Sequence, residues 1–223
     1  MGIRSFGLVA LKVAEADFFL EKISGSGPNI FEVKCYLSAF AASSRSVTFS
    51  LQAVLSDIVG FDEWYKVHQI RLQKDPLSKF FNDFRRVTQH VGNNYGMKGT
   101  YPDNKIWIIP TRDLPSVPED DIETAGRKNL TEIIKIVFDC YKKFGPIIDS
   151  QQRYTREFFT SIGKTIEDAE EECGFPRGWT DTGDEKYSMH RWQALRDTQP
   201  GCEINHLFKK YLKKKISGPK RVY

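Results

Sequence analysis

The sequence predicts a mostly α-helical protein. An antiparallel helical bundle fills about residues 1–174, a hairpin or loop insertion interrupts it at about 95–125, and a helical extension occupies 175–223. Three observations point there. Apolar residues recur at alternating spacings of three and four along several long stretches, which is helical periodicity. Glycine and proline gather between those stretches. The strand-like run Trp107-Ile108-Ile109 is short and follows the turn-like Pro102-Asp103-Asn104, as a small hairpin would.

The first helix spans about residues 8–24, with Leu8, Leu11, Phe18, Phe19 and Ile23 expected in the core, and Gly25-Ser26-Gly27-Pro28 breaks it. The second carries the clearest seam: Leu37, Phe40, Ser44, Val47, Leu51, Val54 and Ile58, ending at Gly60. Ala41, Ala42 and Ser43 are small enough for a neighbouring helix to approach closely. A third helix covers 62–74. Asp75 then serves as an N-cap with Pro76 in the first helical position, opening a fourth helix from Leu77 to about Val91 that Gly92-Asn93-Asn94 stops. Periodicity returns from Leu130 to Ile148, and again as one helix through Tyr154, Phe158, Ile162, Ile166 and Ala169, closed by Gly174-Phe175-Pro176. A last helix contains Ile204, Leu207, Phe208, Tyr211 and Leu212. The expected bundle core is Leu37, Phe40, Val47, Leu51, Leu77, Phe80, Phe84, Ile134 and Phe138.

Composition narrows the function classes. No apolar run approaches the roughly 20 residues that cross a bilayer, so no membrane partner is expected. The stretch Leu8–Val13 runs into Glu15 and Asp17 without a secretory cleavage pattern. Cys35, Cys140, Cys173 and Cys202 lack C-x-x-C spacing, which suits free thiols in a cytoplasmic protein better than disulfides or a zinc site. No phosphate-binding glycine loop, zinc-protease helix or serine-hydrolase elbow is present, and neither a metal nor a cofactor is expected. Net charge is +4, but the ending KKYLKKKISGPKRVY holds seven basic residues and no acid. Lys213 and Lys214 in that tail are candidate phosphate contacts; the plainer account is a helix C-terminus that favours cations.

The stretch FFNDFRRVTQHVGN, Phe80 to Asn93, places His90 five residues after Arg85. Imidazole titrates near neutrality and suits a general base, while guanidinium stays charged and offers a fork of donors to phosphate oxygens. Metal-free cleavage of RNA needs those two functions, one for the 2′-hydroxyl proton and one for the phosphorane charge.

Around that pair, ADFFLEKI, YLSAFAASSRSVTFSLQ and GFDEWYKVHQIRLQKDPLSKFFNDFRRVTQHVG follow one another over about residues 14–94. Together they resemble a group of small bacterial HEPN-superfamily proteins, which read "LNAFLNAARSV", "GFEEWY" and "DPLMxFFxxLRNxxxHxG" in the same order and spacing. The resemblance implies a helical bundle that dimerises and joins two R-x4–6-H motifs in one cleft, where active members cleave RNA without metal. Carried over by position, the motif arginine is Arg85, the histidine His90 and the following glycine Gly92.

Where the group usually has Asn or another small polar residue after the arginine, this chain has Arg86. On a straight α-helix Arg86 and His90 share a face, while Arg85 and His90 lie about 140° apart. Arg85 reaches the same cleft only if the helix loosens near its end or its stem bends round. Arg86 either takes the phosphate itself, adds a second positive charge, or marks a motif that has drifted from activity. The expectation is therefore a metal-independent endoribonuclease, a toxin or defence effector, working as a homodimer on RNA, with an antitoxin or other protein as further partner. The alternative is a non-catalytic scaffold of the same type that binds a nucleotide, RNA or protein.

Overall fold

The computed structural model describes residues 5–91, 95–100 and 103–217. They form ten α-helices, one π-helical turn, one 3₁₀ turn and a two-stranded sheet, so the chain is mostly helical. It divides into two compact units, Met1–Ile136 and Val137–Tyr223, and the 174/175 boundary drawn from sequence falls inside the second. Among the described residues no helix is long and apolar enough to cross a membrane. All four cysteines are free.

In the first unit, α1 (Gly7–Gly25) buries Val9, Ala10, Val13, Ala16, Leu20 and Ile23 and packs on α2 (Ile30–Leu55). This corrects the sequence reading. Leu8, Leu11 and Phe18 are exposed, the latter two by 54% and 53%, and of the expected core positions only Ile23 is buried. The buried row steps by four and three like the expected one, but it consists largely of Val and Ala. Small side chains let two helix backbones approach closely, so the narrow face wins the contact over the bulky one. The same economy of space recurs at Gly126: a Cβ there would stand 2.8 Å from Leu20 Cδ1 and 3.4 Å from Phe40.

The α2 seam is as expected from Leu37 to Leu51, all of it buried, but the helix ends at Leu55 rather than running to Ile58. Its start is capped by Asn29, whose side-chain oxygen accepts from the Glu32 N–H at 3.2 Å. After α3 (Phe61–Lys74), Asp75 caps α4 (Pro76–Arg86) with Pro76 at its first turn, as read from the sequence. The Asp75 carboxylate accepts from the Ser78 N–H at 2.8 Å and from its hydroxyl at 2.6 Å. Asp75→Ala frees both donors and is expected to cost about 1 kcal/mol, read as a shift in a urea unfolding midpoint.

Helix α4 faces the core with Phe80, Phe81 and Phe84. Phe81 meets Phe40 edge-on at 5.3 Å and Phe84 meets Tyr95 at 4.8 Å. Leu77 is only half-buried, because it sits in the first turn where α4 has not yet entered the core. The insertion contains the expected hairpin: β1 (Met97–Gly99) pairs antiparallel with β2 (Ile106–Ile108), Lys98 opposite Trp107. Helix α5 (Ile122–Ile148) follows, with non-helical dihedrals at Phe144 and Pro146 two residues on.

In the second unit the single helix expected through Tyr154–Ala169 is instead two, α7 (Arg156–Ser161) and α8 (Ile166–Glu172), with the short α6 (Ser150–Arg153) ahead of them. Each restart has a local cause. Thr155 accepts from the Phe158 N–H and starts α7, Gly163 turns the chain at φ 72°, and Thr165 with Asp168 forms a reciprocal capping box for α8. Ile162 falls in the break and is exposed. With α9 (Ser188–Asp197) these helices enclose Phe159, Ile166, Ala169, Trp192 and Leu195. Phe138, expected in the bundle core, belongs to this unit and meets Phe208 of α10 (Asn205–Leu212) at 5.1 Å.

Candidate functional site at the end of α4

Directly after Arg86 the helix widens: Val87–Val91 form a π-helical turn. The Val87 N–H already divides between the carbonyls of Asp83 and Phe84. The Thr88 hydroxyl donates back to the carbonyls of Phe84 at 3.0 Å and Arg85 at 3.2 Å, satisfying acceptors that the change of pitch leaves underused. In an i→i+5 helix each residue turns through less than the α-helical step of about 100°, so residues five apart are drawn toward one side. The loosening that the Arg85–His90 spacing requires is present at the place it requires it.

The side chains differ in setting. His90 is exposed. Arg86 is exposed and its Nε stands 3.9 Å from Asp83 Oδ1, a pair across one helical turn in water. Arg85 is half-buried, and its Nε is fully buried without a hydrogen-bond partner. The carboxylate that Arg85 would take in an ordinary ion pair is therefore spent on Arg86. Gly92 lies outside the described residues.

Lys213 and Lys214 belong to the second unit. Lys213 closes α10 in the left-handed region, and its ammonium donates to the Lys210 carbonyl at 3.3 Å; that of Lys214 lies over the Phe138 ring at 5.7 Å. The Lys213 contact is that of a cation at a helix C-terminus, and the Lys214 contact is a cation–π one with α5. Lys220 and Arg221 of the basic tail lie outside the described residues. Among the described residues no three His, Cys, Asp or Glu side chains gather as a metal site would need.

Sequence reasoning missed a second arginine. Arg45 of α2 also has a buried Nε with no partner, and neighbouring Ser44, taken as a packing residue, has a buried unpaired hydroxyl. With Arg85 Nε these are the buried side-chain nitrogen or oxygen atoms lacking a partner among the described residues. The available signal was an arginine set among serines within an otherwise small and apolar seam.

No family model matches the chain, and no solved structure does. The chain is similar to Protein ea47 of Escherichia phage lambda, 24% identical over 148 residues that make up 64% of this chain and 33% of that protein. The chain thus spans about a third of the length of the curated relative it matches.

Proposed function

We propose that the chain is a HEPN-type endoribonuclease that cleaves RNA without a metal, with Arg85 and His90 as its working pair. The observation that carries this reading is the π turn at Val87–Val91, which begins two residues after Arg85 and contains His90. π turns inside helices concentrate at functional sites, because they give up regular hydrogen bonds to re-aim side chains. A half-buried arginine whose Nε has no partner and an exposed imidazole five residues on suit the division of labour. The imidazole removes the 2′-hydroxyl proton and the 2′-oxygen attacks phosphorus. Guanidinium holds the charge on the non-bridging oxygens while the bond to the 5′-oxygen breaks and that oxygen takes a proton from the imidazolium, which returns the imidazole to its starting state. A second copy completes the cleft. Leu8, Leu11 and Phe18 support that part of the reading, being exposed apolar residues on one face of α1.

Incubation with a mixed RNA pool in EDTA tests the proposal. Cleavage is expected, with 2′,3′-cyclic phosphate ends, since attack by the neighbouring hydroxyl leaves phosphate on the upstream ribose. Intact RNA across pH in both EDTA and magnesium would remove the enzyme and leave the scaffold. Products ending in 3′-hydroxyl would assign the attack to water and the chemistry to other residues.

A further inference from the structure

Within the first unit α2, α3, α4 and the start of α5 line a partly open cavity of about 380 Å³. Its lining includes Ser44 and Arg45, two of the three residues that, among the described residues, have a buried side-chain nitrogen or oxygen without a partner. The third, Arg85, lies one helical turn beyond Phe81, which also lines the cavity. A buried donor left without a partner is destabilising, so native proteins seldom keep one, and three so placed call for a common explanation.

Arg45 is held for a purpose other than an internal ion pair. Its guanidinium rests on the Phe49 ring at 4.4 Å and donates one N–H to the Thr48 hydroxyl at 3.2 Å, and no described carboxylate pairs with it. Burial lowers its pKa from the ordinary range, Tyr65 opposes that, and the positive charge of Arg85 adds to the lowering. A part-buried guanidinium that also feels a second positive charge is stabilised by an anion beside it. Asp83, the acid among the lining residues, faces Arg86 at 3.9 Å. The rest of the wall offers carboxamides at Gln69, Asn82 and Asn129 and flat apolar surface at Tyr65 and Phe81. That is the make-up of a small-molecule site: concave, mixed in polarity, and within the usual size range of roughly 300–1,000 Å³.

We propose that this cavity binds a small phosphate monoester, a mononucleotide or a sugar phosphate, with its phosphoryl group on Arg45 and Ser44 and its remaining part against the carboxamides and Tyr65. Arginine matches phosphate in a bidentate fork, and a buried serine hydroxyl adds a donor that discriminates against ligands lacking the oxyanion. The proposal does not rest on RNA cleavage: binding here is read without turnover and without His90.

Isothermal titration of the full chain with AMP and with ribose 5-phosphate, beside adenosine and ribose, tests it. At least one ester is expected to bind with a Kd at or below about 1 mM, and its unphosphorylated counterpart about tenfold more weakly or worse. Which ester binds separates nucleotide from sugar phosphate. Arg45→Gln is expected to weaken the ester about tenfold while the ligand-free unfolding midpoint holds or rises, because a desolvated like charge has gone. A purely structural arginine would lower that midpoint and leave affinity alone. Should Arg45→Gln fail to fold, Ser44→Ala decides in its place, with a several-fold loss of affinity expected at unchanged stability. The proposal is overturned if neither ester binds at about 5 mM, if the counterparts bind as well as the esters, or if the folded variant binds like wild type.

Discussion

Replacing His90 by alanine is expected to lower RNA cleavage by about 10²–10⁴-fold while leaving the unfolding midpoint unchanged, since a general base contributes on that scale. The prediction separates chemistry from folding because of where the residue stands. His90 is exposed, in a turn that follows the last buried phenylalanine of α4, so its loss opens no cavity. A fall in cleavage matched by an equal fall in stability would assign the imidazole to the helix end rather than to the proton.

The two arginines give the same experiment its internal control. Arg85→Ala removes a half-buried guanidinium whose Nε has no internal partner, and is expected to lower turnover more than it lowers stability. Arg86→Ala removes an exposed group with one weak partner at 3.9 Å, and is expected to leave both close to wild type. The reverse order of effects would make Arg86 the phosphate ligand. Equal and complete losses from either would mean that positive charge at the helix end matters and its position does not.

The legible parts of this protein were those that local chemistry decides. Asp75-Pro76 names its own cap, and the α2 seam carries its period openly, so both could be read without a partner. The α1 face could not. Its bulky residues look like core and its small ones like filler, and only the neighbouring helix reverses that ranking. The stretch after Tyr154 keeps an apolar period across two threonine caps and Gly163, so periodicity predicted one helix where capping makes two.

The site divides in the same way. Arg85 and His90 lie five residues apart along the chain, and their mismatch with a straight helix called for either a loosened turn or a bent arginine stem, of which the turn is present. Arg45 reaches Arg85 only through tertiary packing, and no spacing rule joins positions forty residues apart. Ser44 falls in the seam, where a small side chain reads as room for a neighbour rather than as a donor.

Phe84→Ala carries the largest expected effect on stability, about 3–5 kcal/mol, from lost burial and the cavity left behind. Phe84 is wholly buried, with the Phe80 ring at 5.9 Å and the Tyr95 ring at 4.8 Å, so no mobile neighbour stands ready to fill the space. Its position also ties packing to the candidate site. It immediately precedes Arg85, and its carbonyl accepts both the Val87 N–H and the Thr88 hydroxyl where the helix widens. The ring that anchors α4 thus fixes the point from which the π turn starts. A urea titration of the variant should show the midpoint falling with the slope kept, the mark of a destabilised but still cooperative fold. Phe84→Leu, which refills part of the volume, should recover part of the loss and with it the cleavage that depends on the turn. A Phe84→Ala loss near zero would mean that α4 is rotated from the face described, and that Arg85 and His90 no longer bear the relation to the core on which their roles depend.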